Sequence, residues 1–292
     1  MGLQLPKRAR KVALGALVGS AALFLSGCTA DQRGEWKRIA MPVPATKQGP
    51  DMLHLWQWAW VAALAVGVLT WGLILYSVFR FRRRSEDEIP VQTRYNLPIE
   101  IFYTVAPIMM VIVFFFFTVQ TQDDVLKDVK NPDNTITVVG QQWSWTFNYN
   151  YDAGYEHFKG RSVGGDTVWE TGTPADPPTL WLVKDQSVEV HLYSPDVIHS
   201  FWVPAFLFKM DVFPGRDNNF QFTPTRAGTF EGRCAELCGV YHSRMLFQVK
   251  VVDQAAYDAH LAELANEGNT GPALGDSDVN KQAGLEQNGA SE

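Results

Sequence analysis

Two long apolar stretches follow the polar N-terminal part of the chain. Residues 55–79 contain no charged side chain over 25 positions, and residues 99–119 contain only Glu100 over 21 positions. About 20 apolar residues are enough for a helix to cross the hydrocarbon core of a bilayer. The pattern therefore predicts two transmembrane helices, arranged as a helical hairpin over residues 53–121.

Aromatic and basic residues beside the first stretch indicate its orientation. Trp56, Trp58 and Trp60 stand at its start, where an interfacial aromatic belt is expected, and residues 80–84 include four arginines. Positive charge beside a span marks the cytoplasmic side of a membrane. We therefore expect the 80–98 loop inside the cell, and the parts of the mature chain before and after the hairpin outside.

Short segments of alternating apolar and polar residues begin at Thr135 and continue to Val252. Residues 143–149 and 187–193 alternate with a period of two, which is typical of half-buried strands. Further short runs are separated by proline and glycine. This pattern predicts an antiparallel sandwich or barrel, within a domain that spans residues 122–252.

Three segments of the outer part do not follow this strand pattern. Residues 151–180 predict a long loop, which serves either as a partner-contact surface or as a tolerated insertion. Residues 253–267 predict a short amphipathic helix. Residues 268–292 are rich in Gly, Asn, Asp, Ser and Gln, and this composition predicts a disordered tail.

The N-terminus has the pattern of an exported protein. Four basic residues precede an apolar run from Val12 to Leu25, so residues 1–27 predict a signal peptide too short to serve as a mature span. The run Leu25-Ser26-Gly27-Cys28 resembles a bacterial lipobox, which makes Cys28 a candidate lipidated N-terminus of an outer segment 28–52. An ordinary signal peptide, with Cys28 free or in a disulfide, is the alternative.

Charge narrows the choice of partners. Removing residues 1–27 takes away four basic residues and no acidic ones, so the formal net charge changes from −6 to −10. The chain has no basic patch that would bind nucleic acid. An acidic outer domain would attract a basic partner at low salt, although solubility alone could also account for the charge.

The strongest chemical signal is a loop that contains two thiols, an imidazole and a thioether: Cys234, Cys238, His242 and Met245. Soft sulfur ligands together with imidazole select copper, and a Cys followed by a His and a Met is the ligand run of cupredoxin electron-transfer sites. The second thiol can bridge a second metal ion, which hints at a dinuclear copper centre. A disulfide is the alternative in an oxidising compartment, but it would leave the histidine and methionine unexplained.

One more ligand must come from another strand. His199 follows a strand and a turn and fits this position, whereas His191 is interpreted as a structural residue. Spacing alone leaves both a ligand role and a structural role open for His199. Zinc would accept two cysteines and two histidines but has no use for Met245.

These motifs resemble subunit II of the haem–copper cytochrome c oxidases, from about Leu53 to Val252. The resemblance rests on residues 199–201, 209–216, 234–239 and 242–245, and it is to bacterial, lipoprotein-type members, with an insertion similar to actinobacterial ones. It implies a cupredoxin-like sandwich that carries the CuA centre of two copper ions.

The resemblance also implies the role of each site residue. The two cysteines would bridge the coppers, with the other ligands supplied by His199, His242, Met245 and the backbone carbonyl of Glu236. The Glu236 carboxylate would help to hold a magnesium ion shared with subunit I. Trp143 would receive electrons, and Glu100, seven residues before Pro107, would lie at the entrance of a proton path. A core aromatic role for Trp143 and a helix-dipole role for Glu100 remain alternatives.

The implied function is that of an electron relay in a respiratory enzyme. The chain would take electrons from a c-type cytochrome and pass them to the haem and CuB of subunit I, which reduces oxygen to water and pumps protons. A quinol-oxidase type of subunit II, which lacks the copper ligands, and a copper-delivery lipoprotein, whose site would be open, are the competing functions. The chain contains no Cys-x-x-Cys-His, so it carries no covalent c-type haem.

Overall fold

A computed structural model describes residues 29–85, 88, 89, 91–152, 161, 162, 164–216 and 218–275. The described residues fall into two units, the first ending at Val43 and the second beginning at Pro44. In the first unit, helix α1 covers Ala30–Arg38, and Thr29 and Gln32 form a capping box at its start. The predicted signal peptide and Cys28 lie outside the described residues.

Two long helices begin the second unit. Helix α2 covers Gly49–Arg80 and helix α3 covers Leu97–Val125, and both are long and apolar enough to cross a membrane. They extend past the apolar stretches because polar and charged residues at their ends continue the helical backbone. The Asn96 side chain accepts a hydrogen bond from the Ile99 N–H and caps α3.

Among the described residues, twelve strands follow α3 and form two five-stranded sheets and one two-stranded sheet. Their bounds are β1 Asn134–Gln141, β2 Ser144–Tyr149, β3 Tyr151–Asp152, β4 Arg161–Ser162, β5 Val168–Thr171, β6 Thr179–Val183, β7 Val188–Tyr193, β8 His199–Val203, β9 Phe208–Val212, β10 Asn218–Phe222, β11 Gly228–Cys234 and β12 Leu246–Val252. The first sheet has the order β10-β7-β1-β2-β5 and the second β6-β12-β11-β8-β9, while β3 pairs with β4.

The predicted fold class, two apolar helices followed by an all-β sandwich, is confirmed, but the expectation of purely antiparallel sheets is wrong. Strand β1 pairs in parallel with β7, and β12 pairs in parallel with β6. Period-two alternation shows which face of a strand is buried and carries no information about its direction. The sequence pattern could not distinguish parallel from antiparallel neighbours for this reason.

Aromatic side chains fill the space between the two large sheets. Trp145 and Phe147 from the first sheet contact Phe247 from the second, and Phe201 stacks on Phe247 with ring centroids 4.9 Å apart. The polar face of β2 is buried as well, so the expectation of a half-buried strand is wrong. On that face the Thr146 hydroxyl bonds to Thr171 of the neighbouring strand β5, and the Asn148 side chain bonds to Ala273 of the segment after residue 266.

The 151–180 segment contains regular structure where a loop was predicted. Strands β3, β4 and β5 lie within it, and β6 begins at Thr179. Strand β5 pairs with β2, and the Trp169 N–H donates to the Asn269 carbonyl oxygen. Short strands with mixed composition give little periodicity, which is why the sequence did not reveal them.

Two peripheral segments pack onto the sandwich. Ala45, just before α2, is fully buried; its N–H donates to the Ala205 carbonyl over 2.8 Å and its carbonyl accepts from the Thr225 N–H over 2.8 Å. Helix α4 covers Gln254–Asn266 where a short helix is predicted, and it buries Tyr257 and Leu264. Residues 276–292 of the predicted tail lie outside the described part of the chain.

Candidate metal centre

Strand pairing brings the distant His199 to the cysteine loop. His199 is the first residue of β8, which pairs antiparallel with β11, and β11 ends at Cys234. A loop and a 3-10 turn at residues 242–244 then lead to β12. The Cys234 N–H donates to the Met245 carbonyl over 3.0 Å and closes the base of this loop.

Two free, buried thiols form the centre of the site. The Sγ atoms of Cys234 and Cys238 lie 3.8 Å apart, so they are not joined in a disulfide. A ring nitrogen of His199 and both sulfurs lie within 4.8 Å of one another. The Cys238 sulfur is also 3.6 Å from His242 Nδ1 and 3.7 Å from Met245 Sδ.

Glu236 contributes its backbone to the same cluster. Its carbonyl oxygen lies 3.2 Å from the Cys234 sulfur, and its side chain is half-buried. The structure thus brings together every residue for which the resemblance implies a copper-ligand role. Their donor atoms are two thiols, two imidazoles, a thioether and a carbonyl.

Asp196 is a buried carboxylate behind His199 that sequence reasoning missed. Its Oδ1 atom lies 2.9 Å from His199 Nε2, and its side chain is only 3% exposed. A carboxylate three residues before a candidate histidine ligand would have been the sequence signal. Burial is the largest single effect and would lower the pKa of His199, but the interactions with Asp196 and Cys234 together outweigh burial and raise that pKa.

The β1–β2 turn holds the cysteine loop from outside. The Trp143 indole N–H donates to the Cys238 carbonyl over 3.1 Å, and the Gln142 side-chain amide donates to the same oxygen over 2.7 Å. Gly239 has a φ of +126°, and a Cβ there would lie 3.0 Å from both of these side chains. The turn and the loop therefore fit together only with glycine at this position.

The two thiols titrate together because their sulfurs are in contact. A hydrogen bond with Cys238 lowers the pKa of Cys234, and the same interaction raises the pKa of Cys238. Cys234 is therefore the first of the pair to become a thiolate. The second proton leaves only when positive charge compensates for the negative charge of both sulfurs.

The donor atoms fit a soft metal. His199 Nδ1 is buried and has no hydrogen-bond partner among the described residues, so it can bind a metal without losing another contact. Thiolate, thioether and imidazole ligands suit copper and zinc better than hard cations. The fold and the site thus define a membrane-anchored β-sandwich protein with a buried sulfur–imidazole metal site.

Comparisons with known proteins identify the family. The profile described as "Cytochrome C oxidase subunit II, periplasmic domain" matches residues 134–252. The chain is 47% identical to a probable cytochrome c oxidase subunit 2 of Streptomyces coelicolor over 90% of this chain and 89% of that protein. It is 34% identical to cytochrome c oxidase subunit 2 of Corynebacterium glutamicum over 87% and 84% of the two chains. The chain belongs to the cytochrome c oxidase subunit II family.

A solved structure provides a further comparison. The crystal structure of the periplasmic domain of subunit II of cytochrome oxidase of Bradyrhizobium japonicum is 26% identical, with a TM-score of 0.40. The match covers 48% of this chain and 99% of that domain.

Glu100 and His191 are not part of the sulfur–imidazole cluster. Glu100 is in the first turn of α3, where its Oε1 accepts a hydrogen bond from the Asn96 N–H over 2.8 Å. The rest of α3, roughly 40 Å at 1.5 Å per residue, separates it from the sandwich side of the chain. His191 is buried on β7, and its Nε2 is 3.6 Å from carboxylate oxygens of Asp152 and Glu189. Cys28 lies outside the described residues.

Proposed function

We propose that this chain is the electron-accepting subunit of a respiratory cytochrome c oxidase. It takes electrons from a c-type cytochrome at a dinuclear copper centre and delivers them to the haem and CuB of subunit I. That partner reduces oxygen to water and couples the reaction to proton pumping. The observation that carries the proposal is the contact between two free, buried thiols, surrounded by His199, His242 and Met245.

Each protein group has its own task in this proposal. Cys234 and Cys238 would hold two copper ions together with His199, His242, Met245 and the Glu236 carbonyl. Copper bound there supplies a one-electron carrier. The sandwich holds the ligands at fixed positions, because His199 and Cys234 stand on paired strands. Rigid ligands change little with oxidation state, which favours fast electron transfer.

Trp143 is the proposed point at which electrons enter the chain. Its side chain is half-buried, so one edge reaches solvent, while its indole N–H contacts the carbonyl of Cys238. Its ring also meets Tyr241 edge to face, with centroids 5.1 Å apart. A donor that docks over this surface would be connected to a copper ligand through one hydrogen bond.

Membrane attachment and the other ion complete the proposal. Helices α2 and α3 anchor the chain, with the sandwich on the outer face and the arginine-rich 80–98 loop inside. Cys28 carries a lipid after removal of the signal peptide. The Glu236 carboxylate contributes to a magnesium site shared with subunit I, and Glu100 contributes to a proton path in that subunit.

Two other functions fit the same fold less well. A quinol-oxidase type of subunit II needs no metal ligands, yet the donor atoms cluster in this chain. A copper-delivery lipoprotein needs an accessible metal, whereas Cys234, Cys238, His199 and Met245 are all buried. Zinc would be satisfied by two cysteines and two histidines and would not use Met245 as a ligand.

The test uses the full chain purified in detergent and loaded with copper. We expect two copper ions per chain and an electron paramagnetic resonance (EPR) spectrum of one electron shared by both. Cys234→Ser should lose this signal, while Cys28→Ser, which removes a cysteine outside the site, should keep it. A folded wild-type chain that holds no redox-active copper would contradict the proposal.

A further inference from the structure

Asp196 makes contacts with two different parts of the site. Its Oδ1 atom contacts His199 Nε2 over 2.9 Å and accepts from the Val197 N–H over 2.6 Å. Its Oδ2 atom accepts from the backbone N–H of Gln142 over 2.6 Å. One buried carboxylate therefore joins a metal-binding histidine to the β1–β2 turn that precedes Trp143.

We infer that Asp196 is a positioning residue of the metal centre, which fixes His199 and the Gln142–Trp143 turn together and lowers the reduction potential of the bound copper. This inference rests on the proposed function. It assigns a role to a side chain that lies behind the ligands and does not touch the metal.

The first step concerns the tautomer of His199. An ionised carboxylate can only accept hydrogen bonds, so the proton of the neutral imidazole must be on Nε2. Nδ1 then presents its lone pair to the cysteine sulfurs, and this is the nitrogen without a hydrogen-bond partner among the described side chains. A histidine held in this way is oriented for ligation before any metal arrives.

The second step concerns charge. The Asp196 side chain is 3% exposed and the His199 side chain is 0% exposed, so water screens the negative charge poorly. A fixed negative charge stabilises the more positive, oxidised metal centre relative to the reduced one. Loss of this charge should therefore shift the reduction potential to a more positive value.

The third step concerns the two oxygens of the carboxylate. Both accept hydrogen bonds, one from His199 and one from Gln142. In Asp196→Asn, the amide keeps one acceptor oxygen and replaces the other with an N–H₂ donor. This variant must therefore break either the His199 contact or the Gln142 contact, although its shape is almost unchanged.

The test compares the full, copper-loaded chain with three asparagine or alanine variants. Asp196→Asn should retain the two-copper signal, with a changed nitrogen hyperfine pattern and a more positive midpoint potential. Its copper affinity should fall about 10- to 100-fold, as is usual when a partner of a histidine ligand is lost. Asp176→Asn removes an exposed carboxylate with the same charge. It should leave the hyperfine pattern, the midpoint potential and the copper affinity unchanged.

Ser194→Ala separates positioning of the ligand from loosening of the turn. The Ser194 hydroxyl donates to the Val197 carbonyl over 2.6 Å and lies 3.1 Å from Asp196 Oδ1, so its loss weakens the turn and keeps the charge. We expect its potential to stay near that of the wild type. Equal shifts in Ser194→Ala and Asp196→Asn, or no shift in either, would overturn the inference.

A second substitution of Asp196 tests the inference if Asp196→Asn does not fold. Asp196→Glu keeps the charge but moves the carboxylate by one methylene, so the hyperfine pattern of His199 should change. An unchanged pattern in the folded Asp196→Glu chain would overturn the positioning role. If the wild-type chain itself shows no two-copper signal, the proposed function fails instead, and the two failures are thus distinguishable.

Discussion

The indole N–H of Trp143 donates a hydrogen bond to the backbone carbonyl of Cys238 over 3.1 Å. The tryptophan lies in the β1–β2 turn of the first sheet, directly before β2, and the cysteine belongs to the loop between β11 and β12 of the second sheet. This contact links a half-exposed aromatic ring to the backbone of a cysteine in the sulfur cluster, and it is the basis for the proposed electron entry at Trp143.

Trp143→Phe tests this path. The variant should bind copper normally but accept electrons more slowly, because phenylalanine cannot donate the hydrogen bond to Cys238. We expect a stability loss of only about 1 kcal/mol, the typical net value of one hydrogen bond. Stopped-flow reduction of the copper-loaded chain by a reduced c-type cytochrome measures the rate.

Trp181→Phe is the matched control for this experiment. Trp181 lies on β6, where it stacks on the His260 ring with centroids 4.2 Å apart. Its replacement should leave electron uptake unchanged. Equal rates in wild type and Trp143→Phe would show that electrons do not use this ring.

The sequence predicted which residues cluster at the candidate metal site better than it predicted their surroundings. Thiols, imidazole and thioether are rare enough in one loop that their chemistry could be read without a structure. Asp196 stands three residues before His199, but its role could not be inferred from that spacing alone, because it depends on burial and on a turn that brings Gln142 close to it. Burial of the polar face of β2 was missed in the same way, since Asn148 is covered by a segment 125 residues later.

Ala45→Leu tests whether the segment before α2 belongs to the core of the sandwich. Ala45 is fully buried and hydrogen-bonded on both sides, so a larger side chain has no space. We expect a loss of about 1–3 kcal/mol from overpacking. Thermal unfolding of the full chain, followed by near-ultraviolet circular dichroism, measures the effect.

Lys47→Leu introduces the same side chain two residues later at an exposed position. It should leave the unfolding temperature nearly unchanged. If both variants behave alike, the segment contributes no packing energy, and a soluble fragment that starts after α3 would be as stable as the complete chain.

Asp133 should make a small contribution to stability that depends on pH. Its Oδ2 atom accepts hydrogen bonds from the Ser187 hydroxyl and N–H, both over 2.7 Å, and the side-chain hydrogen bond from Ser187 lowers the pKa of Asp133. The lowered pKa stabilises the fold above the unfolded value, about 3.9. This stabilisation is lost as the pH falls through the folded pKa.

Asp133→Asn should therefore lower the unfolding temperature at pH 6 and have less effect at pH 3. The difference should be small because the carboxylate is largely exposed to water. Asp128→Asn, which changes an exposed carboxylate five residues earlier, serves as the control. An effect of Asp133→Asn that grows as the pH falls would have the wrong sign for this hydrogen bond.

Shortening the C-terminus tests the segment that covers β2. The buried Asn148 side chain donates to the Ala273 carbonyl over 2.9 Å and accepts from the Ala273 N–H over 2.6 Å. A chain that ends after residue 267 leaves this amide without either partner. We expect a loss of about 1–3 kcal/mol, because two hydrogen bonds of about 1 kcal/mol each are lost together with the packing of residues 268–275. A chain that ends after residue 275 keeps both bonds and should unfold at the temperature of the full chain.

Asn148→Leu, made both in the full chain and in the chain that ends after residue 267, separates the contribution of the hydrogen bonds to stability from that of buried surface area. In the full chain the variant leaves the Ala273 backbone unpaired and should be destabilising. In the chain that ends after residue 267 there is no such backbone to pair, so leucine should be neutral or stabilising relative to asparagine. Thermal unfolding of the four proteins forms a double-mutant cycle with a non-zero interaction term. Additive effects would mean that residues 268–275 cover β2 without hydrogen-bonding to Asn148. Ending the chain after residue 267 or after residue 275 would then give the same result.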